Sequence, residues 1–325
     1  MAHTASTAPQ LRAPCWPTLP PREMCRPTSA AAAARLTLVT NFEYVASGRD
    51  YAKEDLWLAA ALRARGFTVA TVHPNDLSER DYEASEHVLF RNTGPVTTHA
   101  ASLARWRAHQ AAGGDRGKLA NNLSLKGDVR AEGGKLHLLE LTAQGGYPVI
   151  EAHLVGAFLD APPQADAALM IKPLNGADSV GLRRVEGATE LRAIADAEPA
   201  VRDTFIVQRL VEFEYELSFY FVGATFVYAL RTGGPSGRWQ LVPHTEASSG
   251  GTWEADLAFA RRFLRWNGES RAVVRVDGVR ETASGQLLLM EIEDYNPYLS
   301  LAELSEATRE RLVDALVGSL LSKPA

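Results

Sequence analysis

Two β-patterned segments near the C-terminus carry charged side chains at alternate positions. Arg275 and Asp277 lie two residues apart in the first segment, and Glu291 and Glu293 lie two apart in the second. Because side chains alternate between the faces of a strand, each pair shares one face. If the strands pair antiparallel, three carboxylates and one guanidinium converge. Such an oxygen cluster suits Mg²⁺, whose charge offsets the repulsion between the acids. A solvated hairpin face is the alternative interpretation.

The apolar residues of the same two segments are predicted to face a core. They occupy the positions between the charged ones, namely Val274, Val276, Met290 and Ile292. A further polar run, Asp294–Pro297, follows the second segment. The concentration of acids on one face, next to this run, favours the metal site over the solvated hairpin.

A second chemical signal lies near the middle of the chain. The apolar run Ala168–Lys172 leads into a loop that contains Gly176, Ser179 and Gly181. Glycines let backbone N–H groups approach an anion closely, and the lysine supplies countercharge. The Gly-Lys-Ser/Thr ending of a P-loop is absent, so a P-loop NTPase is not supported. A phosphate-binding loop and a plain hairpin with a surface lysine both remain open at this point.

Alternating strands and helices must position these groups. The N-terminal third predicts a small α/β unit with a mostly parallel sheet, because its strands are separated by amphipathic helices. Ligands usually bind at the strand ends of such sheets, so Arg91 and Asn92 are weak candidates for substrate contact. The predicted elements are strands at 36–40, 67–72 and 87–90 and helices at 52–65 and 98–110.

The remaining two thirds predict a mixed α+β body, and its last part is rich in strands. The predicted strands are 148–152, 168–172, 205–210, 215–222, 225–232, 239–243, 273–277 and 287–293, and the predicted helices are 136–143, 189–197, 254–265 and 305–319.

Composition narrows the class of protein. The chain has 325 residues, of which 46% are hydrophobic, so it is long enough for two or three subdomains. Its net charge of −5 disfavours nucleic-acid binding, and no apolar run reaches the roughly 20 residues that cross a bilayer. Residues 1–34 resemble a flexible tail that contains both cysteines, Cys15 and Cys25. The rest of the chain therefore cannot form a disulfide framework, and we expect a cytoplasmic protein.

Taken in order, these segments resemble the ATP-grasp superfamily, in its branch of glutathione-synthetase-like and D-alanine–D-alanine-ligase-like enzymes. The resemblance covers about residues 36–320 and rests on the ordered set of motifs. It implies an α/β and α+β architecture, with an N-terminal α/β domain and a nucleotide held between two α+β subdomains. The implied boundaries are a tail at 1–34, a substrate domain at 35–120, a central subdomain at 121–210 and a C-terminal subdomain at 211–325.

The resemblance also implies roles for single residues. Lys135 and Lys172 are the expected ATP-binding lysines, and the loop with Gly176, Ser179 and Gly181 is expected to close over the phosphates. The expected adenine hinge, whose backbone would contact the base, is Gln208, Arg209 and Leu210, and the expected ribose ligand is Glu216.

For the metal, the resemblance implies Asp277, Glu291 and Glu293 as ligands. Many relatives carry an asparagine at the last of these positions, so Asn296 stands as a reserve ligand. Arg275 is expected to stabilise the transferred phosphoryl group, and Arg231 is a candidate for clamping the substrate carboxylate.

The implied activity is that of an ADP-forming ligase that uses ATP with Mg²⁺, or with Mn²⁺ in its place. A small amino-acid-like carboxylate would become an acyl phosphate, which a nitrogen nucleophile then attacks. Two alternatives remain: a cyclo-ligase that closes a small ring in antibiotic biosynthesis, and a nucleotide-binding protein without turnover. A homodimer is expected from the resemblance alone.

Overall fold

The computed structural model describes residues 34–43, 50–92, 96–121, 135–161, 167–175, 180–233, 240–242, 252–268, 270–295 and 297–322. Three β-sheets organise these residues, and helices cover the outer faces of the sheets. Among the described residues, every helix is too short or too polar to cross a bilayer.

The N-terminal sheet is parallel, as the sequence predicts, with the strand order β2-β1-β3. Leu36, Leu38 and Leu89 from its strands are buried with Leu58 and Leu62 of the first helix, so helix and sheet share one core. The elements are β1 (Arg35–Val39), α1 (Tyr51–Ala64), β2 (Thr68–Val72), α2 (Glu79–Ala84), β3 (His87–Phe90) and α3 (Val96–Ala111).

The central sheet is antiparallel, with the strand order β4-β7-β5-β6. One face is apolar and packs against short helices through residues such as Ile171, Val207 and Leu191. The other face carries Met170, Lys172 and Gln208. The elements are α4 (Leu136–Gln144), β4 (Ala152–Leu154), α5 (Val155–Asp160), β5 (Leu169–Pro173), β6 (Arg183–Val185), α6 (Ala188–Ala197), α7 (Val201–Thr204) and β7 (Phe205–Arg209).

The C-terminal sheet is also antiparallel, with the strand order β10-β9-β8-β11-β12. Its apolar face packs against α8 through Trp253, Leu257, Ala260 and Leu264, which recur at helical spacing. The elements are β8 (Phe213–Val222), β9 (Thr225–Gly233), β10 (Gln240–Leu241), α8 (Thr252–Asn267), β11 (Val273–Glu281), β12 (Leu287–Glu293) and α9 (Glu306–Leu321).

The N-terminal and C-terminal sheets share a hydrophobic core. Leu38 from the first sheet and Leu62 from α1 belong to the same buried cluster as Val222 and Tyr228 from the second sheet, and Leu316 of α9 completes it. The N-terminal unit is therefore packed firmly against the sheet that carries the acidic residues.

Candidate active site

Three carboxylates meet where β11 and β12 pair. Asp277 lies directly opposite Glu291, and Arg275 lies opposite Glu293, in the antiparallel arrangement that the sequence predicts. One oxygen from each of Asp277, Glu291 and Glu293 lies within 4.8 Å of the other two. Oxygen ligands at this spacing fit a hard divalent cation such as Mg²⁺.

A β-bulge shapes this strand pair. Gly278 pairs with Leu289, so Met290 has no residue opposite it on β11. Met290 consequently lies on the same face as Glu291 and lines a cavity, while Ile292 is buried on the other face. The prediction that Met290 faces the core with Ile292 is wrong, because the extra residue shifts the alternation of side chains.

Arg275 is held by the acids around it. Its Nε lies 2.9 Å from Asp277 Oδ2, and its Nη2 lies 2.7 Å from Glu293 Oε1. Burial alone would lower the pKa of the guanidinium, but the two carboxylates raise it well above its usual range. Ser218 donates a hydrogen bond to Asp277 Oδ1 over 2.7 Å, which fixes the carboxylate from the β8 side.

Two lysines bring further positive charge to the cluster. Lys135 is buried at the start of α4, and its Nζ lies 3.4 Å from Glu291 Oε1. Lys172, near the end of β5, has its pKa lowered by burial and by Lys135, with Glu291 and Glu216 opposing the shift. Burial would raise the pKa of Glu291, but Lys135 and the other nearby cations lower it below its usual value. The site therefore pairs its acids with cations that can also meet an anionic ligand.

A cavity of about 440 Å³ runs between the central and C-terminal sheets. Lys172, Glu216, Asp277 and the other two acids line it near the cluster. Its apolar end is lined by Ile150, Met170, Leu210, Val211, Val279 and Met290, and its opposite end by Tyr220, Tyr298, Ser300, Ala302 and Glu303.

Gln208 lies in the apolar end with one polar atom unused. It is 2% exposed, and its Nε2 donates to Ile150 O over 2.6 Å. Its Oε1 is buried without a hydrogen-bond partner among the described residues. A buried acceptor that lacks a donor is costly, so this atom is suited to an incoming N–H group.

The backbone N–H groups that follow Gln208 differ in their hydrogen bonding. The Leu210 N–H donates to Ala168 O over 2.8 Å, so it is occupied within the protein. The Val211 N–H has no backbone acceptor among the described residues, and Val211 lines the cavity. Arg209 also lines the cavity, and its guanidinium forms an ion pair of 2.6 Å with Glu281.

Of the predicted loop and reserve residues, the structure describes only Gly181. Gly176, Ser179 and Asn296 fall outside the described residues. Gly181 has a φ of +79°, and a Cβ on it would lie 2.9 Å from Pro173 Cγ, so the end of the predicted phosphate loop requires glycine where it meets β5.

Arg231 is not brought to the cavity. It pairs with Leu217, which faces α8, and its Cζ lies 5.2 Å from the centre of the Tyr215 ring. Neighbours across a strand pair share a face, so Arg231 lies on the side of the sheet opposite the acids. Its predicted contact with a substrate carboxylate does not fit this position.

Sequence reasoning missed several residues of the site. His137 Nε2 accepts the Ile292 N–H over 3.2 Å and so fixes β12 between Glu291 and Glu293. Its position two residues after Lys135, on the first turn of the same helix, was the signal that could have identified it. Ser300, at the opposite end of the cavity, follows no pattern that the sequence displays.

No model of a known protein family matches the sequence, and no curated protein sequence matches it. Solved structures do match. D-cycloserine synthetase DcsG is 24% identical with a TM-score of 0.63, over 88% of this chain and 100% of that one. D-alanine–D-alanine ligase from Bacillus anthracis is 12% identical with a TM-score of 0.61, over 89% and 98%. The ATP-grasp ligase PsnB, in complex with a minimal precursor, is 17% identical with a TM-score of 0.56, over 87% and 98%. These matches, together with a cavity between two antiparallel sheets, show that the chain has the ATP-grasp fold.

Proposed function

We propose that the chain is an ADP-forming ligase that joins the carboxylate of a small amino-acid-like substrate to a nitrogen nucleophile. The observation that carries this proposal is the convergence of Asp277, Glu291 and Glu293 beside Arg275, at the centre of a cavity that extends to both sides. Arg275 is buried beside these acids, where a transferred phosphoryl group would need a cation, and this supports turnover over binding alone.

ATP is proposed to bind the cavity with its base at the apolar end. The adenine would lie between Met290 and Met170, with its amino group donating to Gln208 Oε1 and with Val211 N–H as a backbone donor. Gln208, Arg209 and Leu210 remain the proposed hinge, although the Leu210 N–H is used within the protein.

The rest of the nucleotide would follow the charges along the cavity. Glu216 would hold the ribose, and Lys135 and Lys172 would contact the phosphates. The loop that contains Gly176, Ser179 and Gly181 is proposed to cover them. Solved structures of the same fold support nucleotide binding, since the Bacillus anthracis ligase forms a complex with ATP and PsnB a complex with Mg and ADP.

The reaction follows from the charges. A carboxylate repels nucleophiles and has no good leaving group, so a substrate carboxylate oxygen first takes the γ-phosphoryl group, and ADP is released. The nitrogen then attacks the carbonyl carbon, inorganic phosphate leaves and the nitrogen loses a proton. Arg275 would offset the negative charge that develops at each step. Mg²⁺ held by Asp277, Glu291 and Glu293, with Asn296 in reserve, would neutralise the phosphate oxygens; Mn²⁺ is an alternative ion.

An intramolecular version of this chemistry is the second candidate. Among the three matched proteins described above, the one with the highest identity and TM-score is named for making D-cycloserine, which is a cyclic product. One substrate would then carry both the carboxyl group and the nitrogen. We expect the enzyme to act in the cytoplasm, and as a homodimer by its resemblance to the family.

An ADP-release assay tests the proposal. Wild type, Glu291→Gln and Glu214→Gln are incubated with Mg-ATP and a panel of amino acids, dipeptides and amino-acid derivatives that includes cyclisable ones. Glu214 is an exposed carboxylate outside the cavity, so Glu214→Gln is the matched control. We expect substrate-dependent release in wild type and in the control, and a loss of about a hundredfold or more in Glu291→Gln. If ATP binds but no substrate on the panel provokes release in wild type, the ligase proposal fails and the binding protein is favoured.

A further inference from the structure

A buried carboxylate of the N-terminal unit is hydrogen-bonded to the loop 297–301, at the proposed substrate end of the cavity. Glu54 on α1 is 0% exposed. Its Oε2 accepts the Leu299 N–H over 2.8 Å, and its Oε1 accepts the Leu301 N–H over 2.7 Å. The two oxygens of one side chain therefore bind the backbone on both sides of Ser300.

Ser300 itself has a backbone conformation that needs support. With φ of 54° and ψ of 41° it is left-handed, and it is the one described residue other than glycine with a positive φ. Such a conformation costs an L-residue about 1–2 kcal/mol, and it persists where the surroundings fix it. Glu54 supplies this support, because the two hydrogen bonds that its carboxylate accepts restrain the peptides on both sides of Ser300.

Other buried side chains hold the carbonyl groups of the same loop. Arg91 Nη1 donates to Pro297 O over 2.8 Å, the Tyr220 hydroxyl donates to Tyr298 O over 3.1 Å, and the Tyr228 hydroxyl donates to Leu299 O over 2.7 Å. Arg91 is in turn paired with Asp55 over 3.1 Å. Arg91, which the sequence suggested as a substrate contact, thus holds the backbone of this loop and does not line the cavity.

The loop 297–301 faces the cavity. Tyr298, Ser300, Ala302 and Glu303 line the end beyond the acids, and Arg275 Nη1 lies 3.5 Å from Tyr298 O. Glu54 does not line the cavity itself. Its effect on a ligand at that end must therefore pass through the loop backbone.

We propose that Glu54 is a positioning residue, which holds Ser300 and its neighbours in the conformation that receives the substrate, and this rests on the ligase function proposed above. The residues proposed to contact the base, Gln208, Val211 and Met290, lie outside this loop. Loss of these two hydrogen bonds from Glu54 should therefore weaken binding of the substrate and leave ATP binding intact.

The test compares Glu54→Gln and Glu54→Asp with wild type in the full-length chain. Glutamine presents one acceptor and one donor, so one of the two N–H groups loses its partner. Aspartate keeps the charge but is too short to reach both. Asp256→Asn is the matched control, because Asp256 is a buried carboxylate that pairs with Arg280 on the far face of the sheet.

Hydrogen exchange of the 297–301 segment is the first measurement, since it needs no substrate. We expect at least one of the Leu299 and Leu301 amides to exchange about tenfold faster in Glu54→Gln, as the loss of one buried hydrogen bond implies, and the same in Glu54→Asp. In Asp256→Asn their exchange should equal that of wild type. Unchanged exchange in both Glu54 variants would overturn the proposal.

Steady-state kinetics with a substrate that gives ADP release is the second measurement. The KM for that substrate should rise about tenfold in Glu54→Gln, with the KM for ATP within about twofold of wild type. An equal rise in both constants, or in neither, would refute a positioning role. If wild type releases no ADP with any substrate, the ligase function fails, and the exchange result alone decides whether Glu54 holds the loop.

Discussion

Glu291 lies directly opposite Asp277, yet the next residue of β11 after Asp277 pairs with Leu289. Met290 is therefore an additional residue on β12, and its side chain joins Glu291 on the cavity face. One local irregularity places a metal-binding acid and an apolar side chain side by side. The proposed phosphate and adenine subsites thus meet at this bulge.

Met290 provides a direct test of the adenine subsite. Met290→Ala removes part of an apolar surface that packs with Ile150 and Val279. We expect the Kd for ATP to rise about tenfold, which is the loss of one to two kcal/mol of apolar contact. Isothermal titration with Mg-ATP measures this. Leu56→Ala, at an exposed position on α1, is the control, and equal affinities in the two variants would contradict the placement of the base.

Gln208 should discriminate between purines. Its free Oε1 accepts from the 6-amino group of adenine, whereas the 6-oxo group of inosine would face it as a second acceptor. Wild type should prefer ATP to ITP by at least about tenfold, since an unpaired buried acceptor costs about 1–3 kcal/mol. In Gln208→Leu this preference should nearly vanish. Competition of the two nucleotides for the site gives the ratio, and a ratio that Gln208→Leu leaves unchanged would exclude this role.

Glu54 should make stability depend on pH. Burial raises its pKa to about 7, and the Leu301 and Leu299 N–H groups, together with Arg91, only partly offset this. Because the folded-state pKa is above the ordinary 4.5, the Glu54 contribution to stability is fully present below about pH 4.5 and is lost as the pH rises through about 7. The charged groups that face it are Asp55, Arg91, Tyr220 and Tyr228.

Urea unfolding of wild type and Glu54→Gln at several pH values isolates this contribution, because the neighbouring groups are common to both chains. Relative to the variant, wild type should lose up to about 3 kcal/mol of unfolding free energy between about pH 5 and pH 8. A difference between the two proteins that stays constant over this range would mean that Glu54 does not titrate there.

Arg231 and Arg275 make a matched pair of arginines on opposite faces of one sheet. Arg231→Ala should keep nearly all of the ADP release, because its guanidinium lies over Tyr215 on the side of α8. Arg275→Ala should lose about a hundredfold or more, because Arg275 faces the acids and the cavity. Initial rates with one substrate settle the comparison, and a large loss in Arg231→Ala would restore its predicted contact with the substrate.

Local patterns in the sequence predicted much of this arrangement. The parallel N-terminal sheet and the antiparallel pairing of β11 with β12 follow from alternation and helical spacing, which depend on neighbouring residues. The convergence of Asp277, Glu291 and Glu293 follows from the same alternation. The position of Met290 was predicted wrongly, because a bulge changes the alternation of side chains on β12, where no residue type indicates it.

Contacts between distant parts of the chain were beyond such reasoning. Glu54 and Leu299 are 245 residues apart, and Glu54 lies between Lys53 and Asp55 in the first turn of a helix, where a carboxylate is expected to be exposed. The predicted substrate contact of Arg231 does not fit for a related reason. The order of strands in the sheet, and not the spacing of residues, decides which face of β9 lies toward the cavity. Spacing also could not show that the Leu210 N–H is used within the protein, because its acceptor, Ala168 O, lies just before β5 and far from Leu210 in the sequence.

The hold of Glu54 on Leu299 and Leu301 limits how this protein can be recombined. A chimera that takes its first ninety residues from a relative, and keeps its own C-terminal sheet, would keep the loop but lose the side chain that shapes it. Selectivity for the substrate and identity of the N-terminal unit should therefore be inherited as one block. Exchange of substrate scope between such enzymes would succeed when α1 and the 297–301 segment travel together.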